Sequence, residues 1–390
     1  MSALKLNDVA LLKLPTGEIR SIAVAEKAVV NFGKFGSFSS SELIGKYPGF
    51  TYEVVDRKLV IQPPKRIEEL VDTDATNELI TDGELVQPLT AVEIEALKKA
   101  GANATDIIKA QIEQHANYEL KTEYSKDKYK KRKEAKFSKT VAIIEATMHN
   151  VCDYWFVKEP QRIRFMRPDA LAQMVTLANA CPGKRFIVAD DTGGLVIASL
   201  LDRLGGQGRV LAITDVLHAT SYPVLSNMNF TANQLAPLET AMNWLHTEED
   251  WEPGANPLSG SIQEISKRKI AREQARLLKR REAFESLQAS RDELFAGEWD
   301  GLLLATSYDP VSIIKRISPY LAGSANIVVH SPHLQVLSEA HASLRAMSQQ
   351  FLSPSITECW LREYQVLPGR THPTMSTSGN AGFILHVMKV

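Results

Sequence analysis

The stretch Phe186-Ile-Val-Ala-Asp-Asp-Thr-Gly-Gly-Leu195 holds the residues best placed for ligand chemistry: an apolar run, two carboxylates and a glycine pair. A nucleotide-binding α/β fold puts its glycine turn at such a strand end, because backbone N–H groups must approach the ligand with no Cβ in the way. Neither register of a D/E-x-G-x-G pattern fits. Opening the pattern at Asp190 puts Thr192 at the first glycine, and opening it at Asp191 puts Leu195 at the second. Either side chain stands where a cofactor's amino-acid tail and ribose would approach. Asp190, Asp191, Thr192, Gly193, Gly194 and Leu195 therefore read as a degenerate loop retained for packing.

Other residues of the same site point the same way. Asp215 ends the next apolar run, where an acid could hold ribose hydroxyls. Near the fourth strand, where an enzyme that methylates an amino group would present an acid and a proline, the chain reads Leu304-Ala305-Thr306-Ser307, and Asp309-Pro310 comes a few residues late. His218, His246, His330 and His333 have no companion Ser or Cys in a nucleophile arrangement, and His372 beside Pro373 reads as a turn residue. Cys152, Cys181 and Cys359 lie far apart without CxxC spacing, which gives neither a disulfide framework nor a zinc site.

Two basic runs carry a different chemistry. The stretch after Glu119, up to Thr140, sets nine basic side chains against Glu123, Asp127 and Glu134. Within it Lys126, Lys128, Lys130, Lys131, Arg132, Lys133 and Lys136 could neutralise phosphates, and each such contact releases counterions and so supplies salt-dependent affinity. Tyr124, Tyr129 and Phe137 interleave with them and could stack on unpaired bases or pack the segment onto a domain. A solvated charged helix is the alternative, and Lys130-Lys-Arg-Lys133 also has the composition of a nuclear-import signal. Arg268, Arg272, Arg276 and Lys279 recur at helical spacing in a second run, on a face that either tracks a phosphate backbone or only solubilises the helix. Arg362 and Arg370 flank a strand and a Pro-Gly turn, where a guanidinium suits a phosphate or a partner's carboxylate equally.

The elements that must hold these residues follow from periodicity. Short apolar runs at Val9–Leu14, Ile19–Ala25, Ala28–Phe32, Thr51–Val55 and Leu59–Gln62, punctuated by turns, predict a small β-barrel-like domain over residues 1–66. In Asn31–Phe38 the phenylalanines either close that barrel or form a stacking loop. Residues 67–150 form the linker: an acidic connector from Glu68 to Glu84, a capping box opened by Thr90 with Glu93, short helices, and then the basic segment. From residue 151 to 390 strands alternate with helices, which predicts a doubly wound α/β sheet. A basic helical insertion spans about 262–294, and antiparallel strands at Thr357–Gln365 and Gly382–Met388 suit the sheet's edge.

Bulk composition excludes only extremes. With 390 residues, 44% hydrophobic and 23% charged, the chain is globular, and its net charge of -1 excludes a uniformly cationic binder while permitting local basic patches. No segment approaches the roughly 18 apolar residues needed to span a bilayer, so an intracellular, soluble protein without membrane partners is expected.

Four segments together resemble one family: Asn31-Phe-Gly-Lys-Phe-Gly-Ser-Phe38, Tyr124-Ser-Lys-Asp-Lys-Tyr-Lys-Lys-Arg-Lys133, Asp191-Thr-Gly-Gly194, and Arg362-Glu-Tyr-Gln-Val-Leu-Pro-Gly-Arg-Thr-His-Pro-Thr-Met375. The chain is similar to the non-catalytic subunit of the eukaryotic tRNA (adenine-N1)-methyltransferase, which methylates an adenine in the T-loop. The resemblance implies a β-rich N-terminal domain and a Rossmann-like class I methyltransferase domain that binds no S-adenosylmethionine. It implies further a catalytic paralogue that uses S-adenosylmethionine, a heterotetramer of two plus two subunits, and tRNA gripped by both kinds of subunit; with the Lys130–Lys133 run, a nuclear location is expected. An active S-adenosylmethionine-dependent RNA methyltransferase and an RNA-independent scaffold are the competing functions.

Overall fold

The computed structural model describes residues 2–63, 93–94, 96, 104–113, 123–216, 222–238, 241–251, 267–367, 370–376 and 379–390. The acidic connector, Thr90, the start of the 262–294 insertion and His218 lie outside the described residues, as do the side chains of Tyr124, Lys128, Lys131, Arg268, Arg272 and Arg370. Two compact units result, Met1–Ala146 with Arg362–Thr377, and Thr147–Leu361 with Ser378–Val390.

In the first unit, strands β1 (Val9–Lys13), β2 (Ile19–Ala23), β3 (Val29–Asn31), β5 (Thr51–Val55) and β6 (Lys58–Ile61) fall on the five apolar runs, while β4 (Ser37–Ser39), which pairs with β3, lies outside them. The next strand, β7 (Thr140–Ile144), falls where the sequence places linker, yet it is the centre of the sheet, whose order is β2-β1-β7-β5-β6. Its alternation explains the placement, since Val141 and Ile143 are buried against the core while their neighbours are not. The first unit therefore continues past the expected boundary at residue 66. The sheet is open, with β2 and β6 as its edges, so a closed barrel does not form among the described residues. Phe32, Phe35 and Phe38 are all buried in this core, which leaves no stacking loop at Asn31–Phe38. Gly36, at φ +104, holds the turn against Val54, whose Cγ1 would lie 2.9 Å from any Cβ there. Helices α1 (Ala104–Glu113) and α2 (Glu123–Phe137) pack on each other, and α2 carries the first basic run.

The second unit begins with helices α3 (Met148–Lys158) and α4 (Pro168–Leu177) and then alternates. Its elements are β8 (Arg185–Asp190), α5 (Leu195–Leu204), β9 (Arg209–Thr214), α6 (Pro223–Met228), α7 (Ala232–Leu235), β10 (Met242–Asn243), α8 (Lys267–Ala296), β11 (Trp299–Ala305), α9 (Pro310–Ile317), β12 (Leu321–Ser331), α10 (Leu334–Ala346) and β13 (Phe351–Glu358). After the hairpin β14 (Tyr364–Leu367) and β15 (Arg370–Pro373), which belongs to the first unit, β16 (Phe383–Lys389) completes the sheet. The order is β10-β9-β8-β11-β12-β16-β13, parallel from β10 to β12 and antiparallel beyond. Strand order reverses between β8 and β11, and a doubly wound sheet opens its ligand crevice at the carboxyl ends of such a pair. Both faces of the central strands are covered, which is why Phe186–Ala189 and Leu302–Ala305 read as unbroken apolar runs.

The expected strand Thr357–Gln365 is two elements, because the ladder stops at Glu358. There the buried Arg167 guanidinium, paired with Asp169 at 2.7 Å, donates to the Cys359 carbonyl at 3.2 Å and to that of Gly379 at 3.4 Å. One side chain thus ties both stems from which the β14–β15 excursion leaves.

Candidate functional site

At the end of β8 the glycine turn is occupied by the protein itself. The Asp190 carboxyl faces inward: Thr192 donates to its Oδ1 through its N–H at 2.7 Å and through its hydroxyl, and the Ile197 N–H donates to Oδ2 at 3.0 Å. Burial pushes this carboxyl above the usual carboxylate range, against the pull of those donors. Thr192 and Leu195 are fully buried, so the two side chains that break the glycine pattern fill space that an open loop would leave to a ligand. Above the turn, the Val224 N–H donates to the Gly193 carbonyl at 3.3 Å, and a Cβ on Gly194 would come within 2.7 Å of Tyr222 Cβ. On the Gly193 side the nearest atoms are Pro223 Cγ and Arg162 Cγ, at 3.5 and 3.8 Å from a Cβ built there. A cofactor needs this surface bare, and the residues present do not fit S-adenosylmethionine.

The remaining acids are likewise engaged. Asp191 Oδ2 accepts from the Thr306 hydroxyl at 2.8 Å and the Ser307 N–H at 3.0 Å, which links the ends of β8 and β11. Asp215 Oδ2 accepts the Tyr308 hydroxyl at 3.0 Å, and this hydrogen bond raises the phenol's pKa. Asp309, the late acid, caps α9 by accepting the Ser312 N–H at 2.9 Å. Tyr308 thereby stands between two hollows. One, of about 630 Å³, lies against Asp215, Asn243, Trp244 and Arg316; the other, of about 320 Å³, lies against Arg164, Phe165, Ser331 and His333. Among the described residues there is no cluster of ligands that could hold a metal ion, and no helix long and apolar enough to cross a membrane.

The basic residues distribute over both units. On α2, Arg132 and Lys136 are exposed while Lys126, Lys130 and Lys133 are half-buried. Of the interleaved aromatics whose side chains are described, Phe137 is buried and serves packing, and Lys133 Nζ covers the Tyr129 ring at 4.9 Å. On α8, Arg276 and Lys279 are exposed. The other end of that helix is anchored by the buried Arg291, which donates to the carbonyls of His246, Glu248 and Trp251 and packs 4.9 Å from the Trp251 ring. His246 and His330 are structural: burial pushes both imidazoles down, His330 to about 4, and the His330 ring sits 3.0 Å from the Ala381 carbonyl.

Sequence reasoning missed Tyr222, Tyr308 and Arg164. A signal for the last was present in Gln161-Arg-Ile-Arg-Phe-Met-Arg167, three arginines just before a helix and far from either basic run. Tyr222 and Tyr308 have no local signature, since what matters is the residue each one meets across the fold.

The fold and the filled crevice define a class: a Rossmann-like methyltransferase domain whose own side chains cover the cofactor turn. Solved structures agree on the fold, among them an S-adenosylmethionine-dependent O-methyltransferase from Thermotoga maritima (TM-score 0.54, 13% identity, 100% of this chain and 95% of that one). A tRNA (m1A58) methyltransferase from Aquifex aeolicus is similar too (TM-score 0.50, 10% identity, 100% and 99% covered). Residues 3–276 match the model of the Gcd10p family, and the chain belongs to that family. Similar full-length relatives are named tRNA (adenine(58)-N(1))-methyltransferase non-catalytic subunit TRM6. That of Debaryomyces hansenii is 26% identical over 97% of this chain and 85% of its own length, and that of Mus musculus is 28% identical over 94% and 84%.

Proposed function

We propose that this chain is the non-catalytic, tRNA-binding subunit of a tRNA (adenine-N1)-methyltransferase, in which a catalytic paralogue supplies S-adenosylmethionine and the methyl transfer. The observation that carries the reading is Tyr222 packed on Gly194, backed by the sealed Asp190–Thr192 pair. The names borne by its relatives in the Gcd10p family support the same division of labour. With Asp215 and Asp191 both engaged, neither acid is poised as a base or a ribose anchor, which argues against the competing reading of an active methyltransferase.

The chain's part in this scheme is to hold substrate. Lys126, Lys128, Lys130, Lys131, Arg132, Lys133 and Lys136 on α2, Arg268, Arg272 and Arg276 on α8, and Arg370 on the hairpin are its phosphate-gripping residues, supported by the charge of the two helices and the exposure of Arg132, Lys136 and Arg276. The exposed Tyr364, Val366 and Met375 offer apolar surface to the catalytic partner, consistent with a heterotetramer of two plus two subunits. A nuclear location fits the Lys130-Lys-Arg-Lys133 run.

The test is methylation of tRNA by this chain alone, by its catalytic paralogue alone, and by the two co-expressed, with equilibrium dialysis of labelled S-adenosylmethionine against this chain. Activity confined to the mixture, with no saturable cofactor binding by this chain, is expected. Turnover or saturation by this chain alone would overturn the proposal.

A further inference from the structure

We propose that the smaller hollow, between Arg164 and Tyr308, binds one unstacked RNA nucleotide, with its base against Phe165 and Tyr308 and its phosphate at Arg164. This inference rests on the tRNA-binding reading above and assigns it a site apart from the basic helices.

The hollow, about 320 Å³, is at the lower end of the range typical of small-ligand sites, and it opens where β11 and β12 end, the side on which a doubly wound sheet receives ligands. Phe165 and Tyr308 at its rim are 41% and 45% exposed, which leaves their rings free to stack on a base. Between them Arg164 Nε is buried and has no hydrogen-bond partner, whereas the adjacent arginines are committed, Arg162 to Glu159 and Arg167 to Asp169. Asp191 attracts the Arg164 guanidinium, but its Oδ2 already takes Thr306 and Ser307. A half-buried cation with an idle donor calls for an anion.

The backbone points the same way. Arg164 and Phe165 both adopt left-handed conformations, at φ +51 and +57, which non-glycine residues adopt at a cost. The Arg164 N–H donates to the Gln161 carbonyl at 3.0 Å and the Phe165 N–H to that of Pro160 at 2.8 Å, so the turn is held in this form. Ser307, Ser331 and His333 complete the lining with groups that can hydrogen-bond a base edge or a ribose. The Tyr308 hydroxyl is taken by Asp215 at 3.0 Å, so it is the ring that Tyr308 offers to a base.

The experiment uses the complete complex with its catalytic paralogue and tRNA carrying 4-thiouridine. Photocrosslinks are expected on Phe165, Tyr308 or His333. Tyr308→Leu should weaken tRNA binding roughly tenfold with the salt slope unchanged, and Tyr308→Phe should restore it. Arg164→Gln should weaken binding and lower the slope by about one. Phe165→Leu, judged by thermal melting, replaces any variant that fails to fold. Uridine 5′-monophosphate should suppress the crosslink at a concentration where inorganic phosphate does not; equal suppression would reduce the hollow to an anion site and overturn the proposal. Wild-type tRNA affinity in both Tyr308→Leu and Arg164→Gln would also overturn it. Charge reversal at Lys130–Lys133 in the same assay separates the failures: if only that change weakens binding, this site alone falls, and if none does, the tRNA-binding reading falls with it.

Discussion

Replacing Gly194 by alanine isolates the contact that covers the cofactor turn. At φ +90 an alanine adopts a left-handed backbone at a cost of about 1–2 kcal/mol. Its Cβ would also sit 2.7 Å from Tyr222 Cβ, an atom that no rotamer change can move, and such overpacking costs about 1–3 kcal/mol. The total of about 2–5 kcal/mol corresponds to a fall in Tm of roughly 5–20 °C for a unit of this size. Gly193→Ala is the internal control. Its φ is +68, but its nearest neighbour would lie at an ordinary 3.5 Å, so it should lose only the backbone part, about 1–2 kcal/mol. Coupling to position 222 sharpens the test. Tyr222→Ala removes Cγ and Cδ1, each 3.0 Å from that position, but keeps the Cβ at 2.7 Å and should relieve only part of the Gly194→Ala penalty, whereas Tyr222→Gly removes all three atoms and should recover about 1–3 kcal/mol in a double-mutant cycle. The assay is thermal unfolding of the full chain and its variants. If Gly194→Ala melts like Gly193→Ala, or if Tyr222→Gly recovers none of the Gly194→Ala penalty, Tyr222 does not cover the turn and the cofactor site must be counted as open.

Three further outcomes follow from other contacts. His330 is held neutral in the fold at about 4 against 6.5 when unfolded, so its stabilising contribution is whole above about pH 6.5 and is lost as pH falls towards 4, a loss on the order of 3 kcal/mol. His330→Gln should remove that component, and the measurement is the difference in Tm between about pH 7.5 and about pH 5 for the two proteins. Arg167→Met would leave the half-buried Asp169 unpaired and both hairpin stems untied; a loss of about 3–5 kcal/mol is expected by chemical denaturation, with faster proteolysis near Leu361. Reversing Lys130, Lys131, Arg132 and Lys133 in the assembled complex should lower the slope of log affinity against log salt by up to about 3–4 and weaken all tRNA species evenly, and an unchanged slope would withdraw these residues from the interface.

The amino-acid sequence alone determines a good deal of this protein, and the reason is that local rules act over a few residues. Short apolar runs bounded by turns fix β1 and β6, alternation fixes β5, unbroken apolar runs fix β8, β9 and β11, and a strand meeting Gly193-Gly194 fixes the turn into α5. Thr192 and Leu195 announce that the glycine pattern is broken, and the charge of α2 announces a basic surface. Tertiary structure decided what local rules cannot reach. Strand β7, five residues of modest pattern, becomes the centre of the first sheet only because β1 and β5 stand on either side of it. The strand expected at Thr357–Gln365 is split because Arg167, far upstream, takes the Cys359 carbonyl. The degenerate loop could have stayed open, and it is Tyr222 on Gly194 and Tyr308 on Asp215 that close and divide the crevice. Each of those meetings joins residues distant in the chain, so it is set by how helices and strands pack, which no spacing along the sequence records.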